Sequence, residues 1–365
     1  MTYNGIANQL YEMVSTLENI QTAFVCLNVR SRYSRKGFTF QEYISLFPCT
    51  RKNIHNELCC LRNSLFYISD GLQSIWEKVF IWHNEYKPDK IIFYTNIDIF
   101  ESYNIPKLLC KMYLWIPIHE DFSENNSQVN ANRTLQFLML FDKITTFSTF
   151  GQKVLEKWGY ESTFINHIID SKVFYNKYIK NDNRFICLIV ANNACPVYRK
   201  ALHENILSFR KFSRNKETLL IIKSEPIGTV NIYKSVEGMS NVIIVNENIP
   251  ETELVKLYCI SNVLLAASKS EGFGVPIVEA QFCGTPVITT NCTSMPENTF
   301  NGICIDPLPG CVKINGINSW ANPGVDNIVN ALEMVYSGNY SKKDIPKMNY
   351  SKEKISKEWK MFLDL

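Results

Sequence analysis

The sequence predicts an α/β protein in two domains, on three observations. The chain has 365 residues, more than one ordinary hydrophobic core organises and suited to two. Apolar runs of strand length alternate with stretches of helical apolar spacing along much of it. Residues 262–290 read as strand, glycine loop, helix, strand. Composition agrees with this: 46% hydrophobic and 20% charged residues describe a globular rather than a disordered chain. A formal net charge of +3 implies no field for a polyanion, so nucleic acid is not an expected partner. The 12 cysteines form no C-x-x-C pair and no zinc-type spacing, and read as reduced, mostly buried thiols of an intracellular protein. No apolar run approaches the roughly 18 residues of a membrane span. The opening Met-Thr-Tyr-Asn-Gly-Ile has no signal-peptide pattern, so a soluble, cytoplasmic protein is expected.

In chain order, residues 6–18 have helical spacing at Ile6, Leu10, Met13, Val14 and Leu17, and residues 21–29 read as a strand. Residues 30–66 read as irregular, with Arg30, Arg32, Arg35 and Lys36 on a solvated loop, or in contact with an acceptor or a membrane surface. A helix over 71–86 uses Ile75, Trp76, Val79, Phe80 and Trp82 for core packing. Residues 87–95 read as helix end, turn and strand, and 111–118 as a strand that ends just before His119. Then come helix 134–141, strand 143–148, helix 149–159 and strand 162–166. The second domain opens with strand 184–191, a loop ending in Arg199 and Lys200, and helix 201–213. Strands at 219–223 and 242–245 precede a helix with Pro250 in its first turn. Residues 302–321, with their Pro and Gly, read as irregular, followed by a helix over 326–336. Ile355, Trp359 and Phe362 give a last helix its apolar face.

The chemistry concentrates after strand 262–267. Gly272 and Gly274 let the backbone turn sharply and approach a ligand. Pro276 suits a first helical turn, and Gly284 with Pro286 suits its end. The free amides and positive dipole end of that helix form an anion site for a group such as a diphosphate. Glu271 before the turn and Glu279 one turn into the helix repel phosphate. They suit sugar or ribose hydroxyls instead. Arg199 and Lys200 stand at a helix start, where cations are unfavourable without an anion to meet. The ligand this describes has a diphosphate between two polyols: a nucleotide-sugar.

Glu271 and Glu279, with Gly-Phe-Gly-Val-Pro between and Cys-Gly-Thr-Pro-Val after, resemble the E-x7-E motif of retaining glycosyltransferases of the GT-B fold, family-4 type. The likeness is strong over roughly 185–335, weaker over 85–180 and faint before 70. It implies two Rossmann-like domains facing across a cleft. Residues 1–175 form the acceptor side and 176–350 the donor side, and a helix in 351–365 crosses back to the first domain. It also implies transfer of a sugar to an acceptor hydroxyl with retained configuration and no metal or other cofactor. Arg199, Lys200 and the amides around Phe273 and Gly274 would stabilise the departing diphosphate. Glu271 would hold sugar hydroxyls and His119 would meet the sugar from the opposite domain. Glu279, Gly272, Val275, Asn246 and Asn248 complete the nucleotide site. The acceptor is a glycan, lipid or protein-linked hydroxyl, with peripheral membrane contact as a further expectation.

Several departures from the family accompany the likeness. Its earlier loop arginine is replaced by Asn193, Asp121 is displaced by one position from its usual place after His119, and Ile168 replaces a glycine of the interdomain segment. Tyr3-Asn4-Gly5 resembles the tail of a glycine loop, and no strand precedes it. The expectation is a start upstream of Met1, or another segment filling that central slot, because an unfilled one strands buried backbone groups. The rival functions are a glycosidase with paired carboxylates, a nucleotide-sugar epimerase, and a catalytically inactive nucleotide-sugar-binding protein.

Overall fold

The computed structural model describes residues 13, 22–27, 64–69, 83–84, 87–94, 107–119, 135–193, 198–247, 249–314 and 318–365. Strands β1 (Thr22–Leu27) and β2 (Ser64–Ser69) pair in parallel with each other. β2 corrects the irregular reading of residues up to 66. Its Ser-Leu-Phe-Tyr-Ile-Ser pattern is short and has no strict apolar–polar alternation, so it carries little signal of its own. A second parallel sheet runs β3 (Lys90–Tyr94), β4 (Lys111–Ile116), β5 (Lys143–Thr146) and β6 (Thr163–Phe164), in that spatial order. Helix α1 (Thr149–Lys157) connects β5 to β6, its N-cap Ser148 accepting from Gly151 N–H. Five consecutive residues of β4, Met112–Ile116, are buried, as a strand covered on both faces requires.

Among the described residues, the larger sheet has seven strands. β7 (Phe185–Val190), β8 (Thr218–Lys223), β9 (Val242–Val245), β10 (Val263–Ala266), β11 (Val287–Thr290) and β12 (Asn301–Ile305) are mutually parallel. Their spatial order is β9-β8-β7-β10-β11-β12, with β15 (Ser341–Lys342) antiparallel at the edge. Counted from β7, this is the 3-2-1-4-5-6 order of the Rossmann fold, whose direction of winding reverses between strands 1 and 4. That reversal opens a crevice outside the carboxyl ends of β7 and β10. Helices α2 (Leu202–Phe212), α3 (Glu251–Ile260), α4 (Val275–Phe282) and α5 (Val325–Tyr336) connect the strands. β8 is buried at all six positions, with the continuous apolar run Leu219–Ile222.

Residues 302–321 are not irregular: they open within β12 and continue into two further strands. β13 (Leu308–Ile314) and β14 (Asn318–Asn322) form an antiparallel hairpin with a register shift between Leu308 and Cys311. Pro309 and Gly310 in β13, and Pro323 and Gly324 just past β14, mask its alternation, because a bulge accommodates residues that a plain ladder rejects.

The last helix, α6 (Lys352–Phe362), crosses onto the first half. Its Trp359 stacks edge-on against Trp115 of β4 with ring centroids 4.9 Å apart, and Phe362 packs on Tyr113 at 5.4 Å. Lys143 at the start of β5 binds the carbonyl of Phe362 at 2.9 Å and the carboxylate of Asp364 at 2.6 Å. The two halves therefore share one apolar core, running from Trp115 and Phe147 through Phe273 to Tyr350 and Trp359. Polar contacts lock it further. Glu297 accepts from the first amides of α1, Thr149 at 2.9 Å and Phe150 at 2.6 Å, where a carboxylate also complements the helix dipole.

Candidate active site

The site is built where the carboxyl ends of β4, β7 and β10 meet. After β10 the chain runs Ala267 to Gly274, entirely buried, and enters α4 through Gly274, whose φ of +86° is left-handed. A Cβ there would meet Ile277 Cδ1 at 2.6 Å, so glycine satisfies both backbone and space. Pro276 occupies the first turn of α4, and Gly284, at φ +87°, ends it as the sequence predicts.

Glu271 is the hub. Arg199 Nη1 donates to its Oε2 at 2.9 Å, and Lys200 Nζ to its Oε1 at 2.5 Å. Ser268 Oγ also donates to Oε1, at 2.8 Å. The backbone around it is pinned too: Glu271 N–H donates to Thr293 Oγ1 at 3.0 Å, and Ser294 Oγ donates to the Glu271 carbonyl at 2.9 Å. Burial by itself raises the Glu271 carboxyl pKa, but Lys200 and Arg199 override it and hold the group well below the usual carboxylate range. The side chains of Arg199, Lys200 and Glu271 are 12%, 16% and 8% exposed, so the basic pair turns inward rather than into solvent.

His119 lies across from this cluster, three residues past β4. A Cβ on Gly272 would stand 2.8 Å from Pro117 Cβ and 3.0 Å from His119 Cε1, so the glycine is what lets the turn close on β4. Ser270 Oγ donates to the His119 carbonyl. Burial and then Arg199 depress the imidazole pKa to about 3; Glu271 opposes them and Lys200 adds a smaller push in the same direction. His119 is therefore neutral at physiological pH. Its Nδ1 is buried with no hydrogen-bond partner among the described residues.

Glu279 has different surroundings. Tyr258 Oη on α3 donates to its Oε2 at 2.8 Å. Burial pushes its pKa up to about 7; the Tyr258 bond lowers it and Glu251 raises it further. Glu251 starts α3, just after the segment containing Asn246, which is exposed. Asn248 and Asp121 lie outside the described residues. Phe273 is buried, with its carbonyl bound by Asn298 Nδ2 at 2.8 Å and its ring 4.5 Å from that of His167. Val275 is half-buried at the start of α4.

Asn193 is a structural pin. It is 1% exposed, donates to the carbonyls of Glu225 and Val230, and accepts from Val230 N–H at 2.9 Å. An amide has both donor and acceptor, so it can hold the 225–230 turn in a way that a cation cannot.

Sequence reasoning missed two residues. Tyr258 passes for helix core. Lys269 is one lysine in a loop. His167, in the interdomain segment, is 3% exposed among Trp115, Phe147 and Phe273 and packs as a core residue. Among the described residues, no group of three His, Cys, Asp or Glu side chains is placed to hold a metal ion.

Two parallel sheets whose strand ends face one another, with a Rossmann-ordered second sheet and a last helix returning to the first, define the GT-B fold. A glycosyltransferase from Rickettsia africae has this architecture with a TM-score of 0.65 and 14% identity, over 100% of this chain and 96% of that one. HepE from Anabaena, solved in complex with UDP-glucose, has a TM-score of 0.60 and 14% identity, over 82% of this chain and 85% of that one. Residues 176–307, which hold Arg199, Lys200, Glu271 and Glu279, match the family model of glycosyl transferases group 1. The MMP alpha-(1->4)-mannosyltransferase of Mycolicibacterium hassiacum is 27% identical over 129 residues, 35% of this chain and 31% of that protein. The O-antigen chain mannosyltransferase B of Escherichia coli is 42% identical over 60 residues, 16% of each chain. The matched stretch thus spans less than a third of these curated relatives' own length.

Proposed function

We propose that this chain transfers a hexosyl group from a nucleotide-diphosphate sugar to an acceptor hydroxyl, with retention of anomeric configuration and without a metal ion. The observation that carries this reading is the convergence of Arg199, Lys200, Glu271 and His119 at three strand ends. When the bond between the anomeric carbon and the diphosphate oxygen breaks, both electrons leave with the diphosphate. The sugar becomes cation-like, and the departing group gains negative charge. Stabilising that charge with preorganised donors is the largest contribution a site of this kind makes. Arg199 and Lys200 supply the positive charge, and the amides at the start of α4 add theirs.

Glu271 orients both cations before any donor arrives. With Arg199 and Lys200 it forms a cluster of net charge +1, which attracts a diphosphate. As phosphate oxygens take over part of the cations, Glu271 regains acceptor capacity for sugar hydroxyls. A neutral His119 meets a sugar hydroxyl by hydrogen bonding and adds no charge that would oppose a cation-like sugar. Glu279, on the side of α3, accepts from the ribose. In this reading the domains divide near residue 175, and the acceptor (a glycan, lipid or protein-linked hydroxyl) binds on the first half. The group 1 match, the mannosyltransferase relatives and the UDP-glucose in HepE support a nucleotide-sugar donor.

The test is release of nucleoside diphosphate from a panel of UDP- and GDP-sugars, with and without acceptor glycans, and proton NMR of the product's anomeric centre. Acceptor-dependent release is expected, with the product keeping the donor's configuration. Lys200→Ala should slow turnover about a hundredfold and weaken nucleotide binding. Conversion of the donor without any acceptor, or an inverted product, overturns the proposal.

A further inference from the structure

Lys269 sits in the loop after β10 and is 6% exposed. A lysine is almost never this deep unless it is paired. Its ammonium pairs with Glu204 Oε1 at 2.7 Å, in the first turn of α2. Its amide N–H donates to the Arg199 carbonyl at 2.8 Å. Its own carbonyl accepts from Ala321 N–H of the β13–β14 hairpin at 3.2 Å and from Cys292 Sγ at 3.3 Å. One residue therefore holds segment 199–204 at both ends and ties it to the hairpin and to the turn after β11.

The held segment needs holding. Tyr198 (φ 58°) and Ala201 (φ 47°), on either side of Arg199 and Lys200, are both left-handed without being glycine. Such backbone persists only where the surroundings over-determine it, and it gathers at functional sites. α2 also begins at Ala201 with no side-chain cap, so the segment lacks the usual local support for a helix start.

We propose that Lys269 and Glu204 are positioning residues for the diphosphate grip. Their ion pair keeps the 198–204 turn in the one conformation from which Arg199 and Lys200 both reach Glu271. Glu204 also gives Lys269 a counter-charge of its own, so that Glu271, two residues further on, stays with Arg199 and Lys200. An apolar side chain of the same volume fills the space without fastening the start of α2. The proposal rests on the reading of Arg199 and Lys200 as the donor's diphosphate site.

The test compares wild type, Lys269→Met, Lys269→Arg and Glu204→Gln by amide hydrogen exchange and by calorimetric titration with UDP and GDP. In Lys269→Met and Glu204→Gln, the amides of Ala201 and Asn205 should exchange about tenfold faster while those of β7 and β10 keep their rates. Affinity for whichever nucleotide the wild type binds should fall about tenfold, with Lys269→Arg retaining most of it. Unchanged exchange at 198–205, or a uniform rise across the whole larger sheet, overturns the positioning role. So does faster local exchange with unchanged affinity. Should Lys269→Met fail to fold, Glu204→Gln carries both readouts. Should wild type bind neither UDP nor GDP, the donor-site reading fails, while the exchange data still decide whether the pair holds the turn.

Discussion

Glu271 stands before one glycine turn and Glu279 one turn into the helix it opens, and their surroundings drive them apart. Glu271 faces the loop after β7 and is held ionised by two cations against the pull of burial. Glu279 faces α3, where it finds one phenol and a distant carboxylate, and burial lifts it to about 7. The same residue type in one motif thus has two chemistries. What separates them is the element that lies opposite: a basic loop in one case, a helix face with a tyrosine in the other. Role follows the partner across the crevice, not position in the motif.

The strongest way to break this contrast is Glu271→Ala. It removes the nearly buried carboxylate that Arg199 and Lys200 both bind, and breaking a buried ion pair costs about 3–5 kcal/mol. Calorimetry should show a large drop in Tm, and Glu271→Gln a smaller one. A Tm unchanged in Glu271→Ala means that the two cations do not depend on this carboxylate. Loss of stability is thus expected beside the fall in turnover that a sugar-binding role alone implies.

Gly272→Ala comes next. Its Cβ would press on Pro117 and His119, at about 1–3 kcal/mol for an overpacked site. Nucleotide binding should weaken with it, because the turn and the end of β4 can no longer close. An alanine variant with wild-type Tm and affinity would show that the strand ends are not tightly apposed at this point.

The smallest effect, and the one that sharpens the contrast most, is pH. The Glu279 carboxyl is raised in the folded protein from an ordinary 4.5 to about 7. Across that window the native state keeps a proton that the unfolded chain has lost. This residue's contribution to stability therefore falls as pH rises from about 4.5 to about 7. Nucleotide affinity should run the other way, rising through pH 7 as the carboxylate becomes a full acceptor for ribose hydroxyls. Glu279→Gln should flatten both profiles. Tyr258→Phe should move the midpoint upward and remove a hydrogen bond of about 1 kcal/mol. Affinity that does not vary between pH 6 and 8 argues against Glu279 as the ribose acceptor.

Much of the larger sheet was legible from residues alone. Leu219–Ile222 and Phe185–Val190 are continuous apolar runs, and the glycines and prolines around α4 mark both its ends. The strand ends were legible as site positions because parallel sheets of this topology leave a crevice there. The hairpin Leu308–Asn322 was not, because Pro309 and Gly310 break the alternation that identifies a strand. The role of Asn193 was not legible for a reason of chemistry: its place in a phosphate-side loop says nothing about whether its amide turns to the ligand or to the backbone of Glu225 and Val230. Lys269 left no trace, since a single buried ion pair has no period.

By itself the sequence determined the α/β class, the order of elements from strand 185–190 to strand 287–290, and the residue types around one glycine turn. These follow from local rules: period, turn chemistry and caps. Only the tertiary structure decided that Arg199 and Lys200 both close on Glu271, that His119 is neutral beside them, and that Glu279 answers to Tyr258. Each of those pairings joins elements tens of residues or more apart in the chain. Their charges interact only because the reversal of strand order and the returning last helix bring the ends of β4, β7 and β10 into one low-dielectric place.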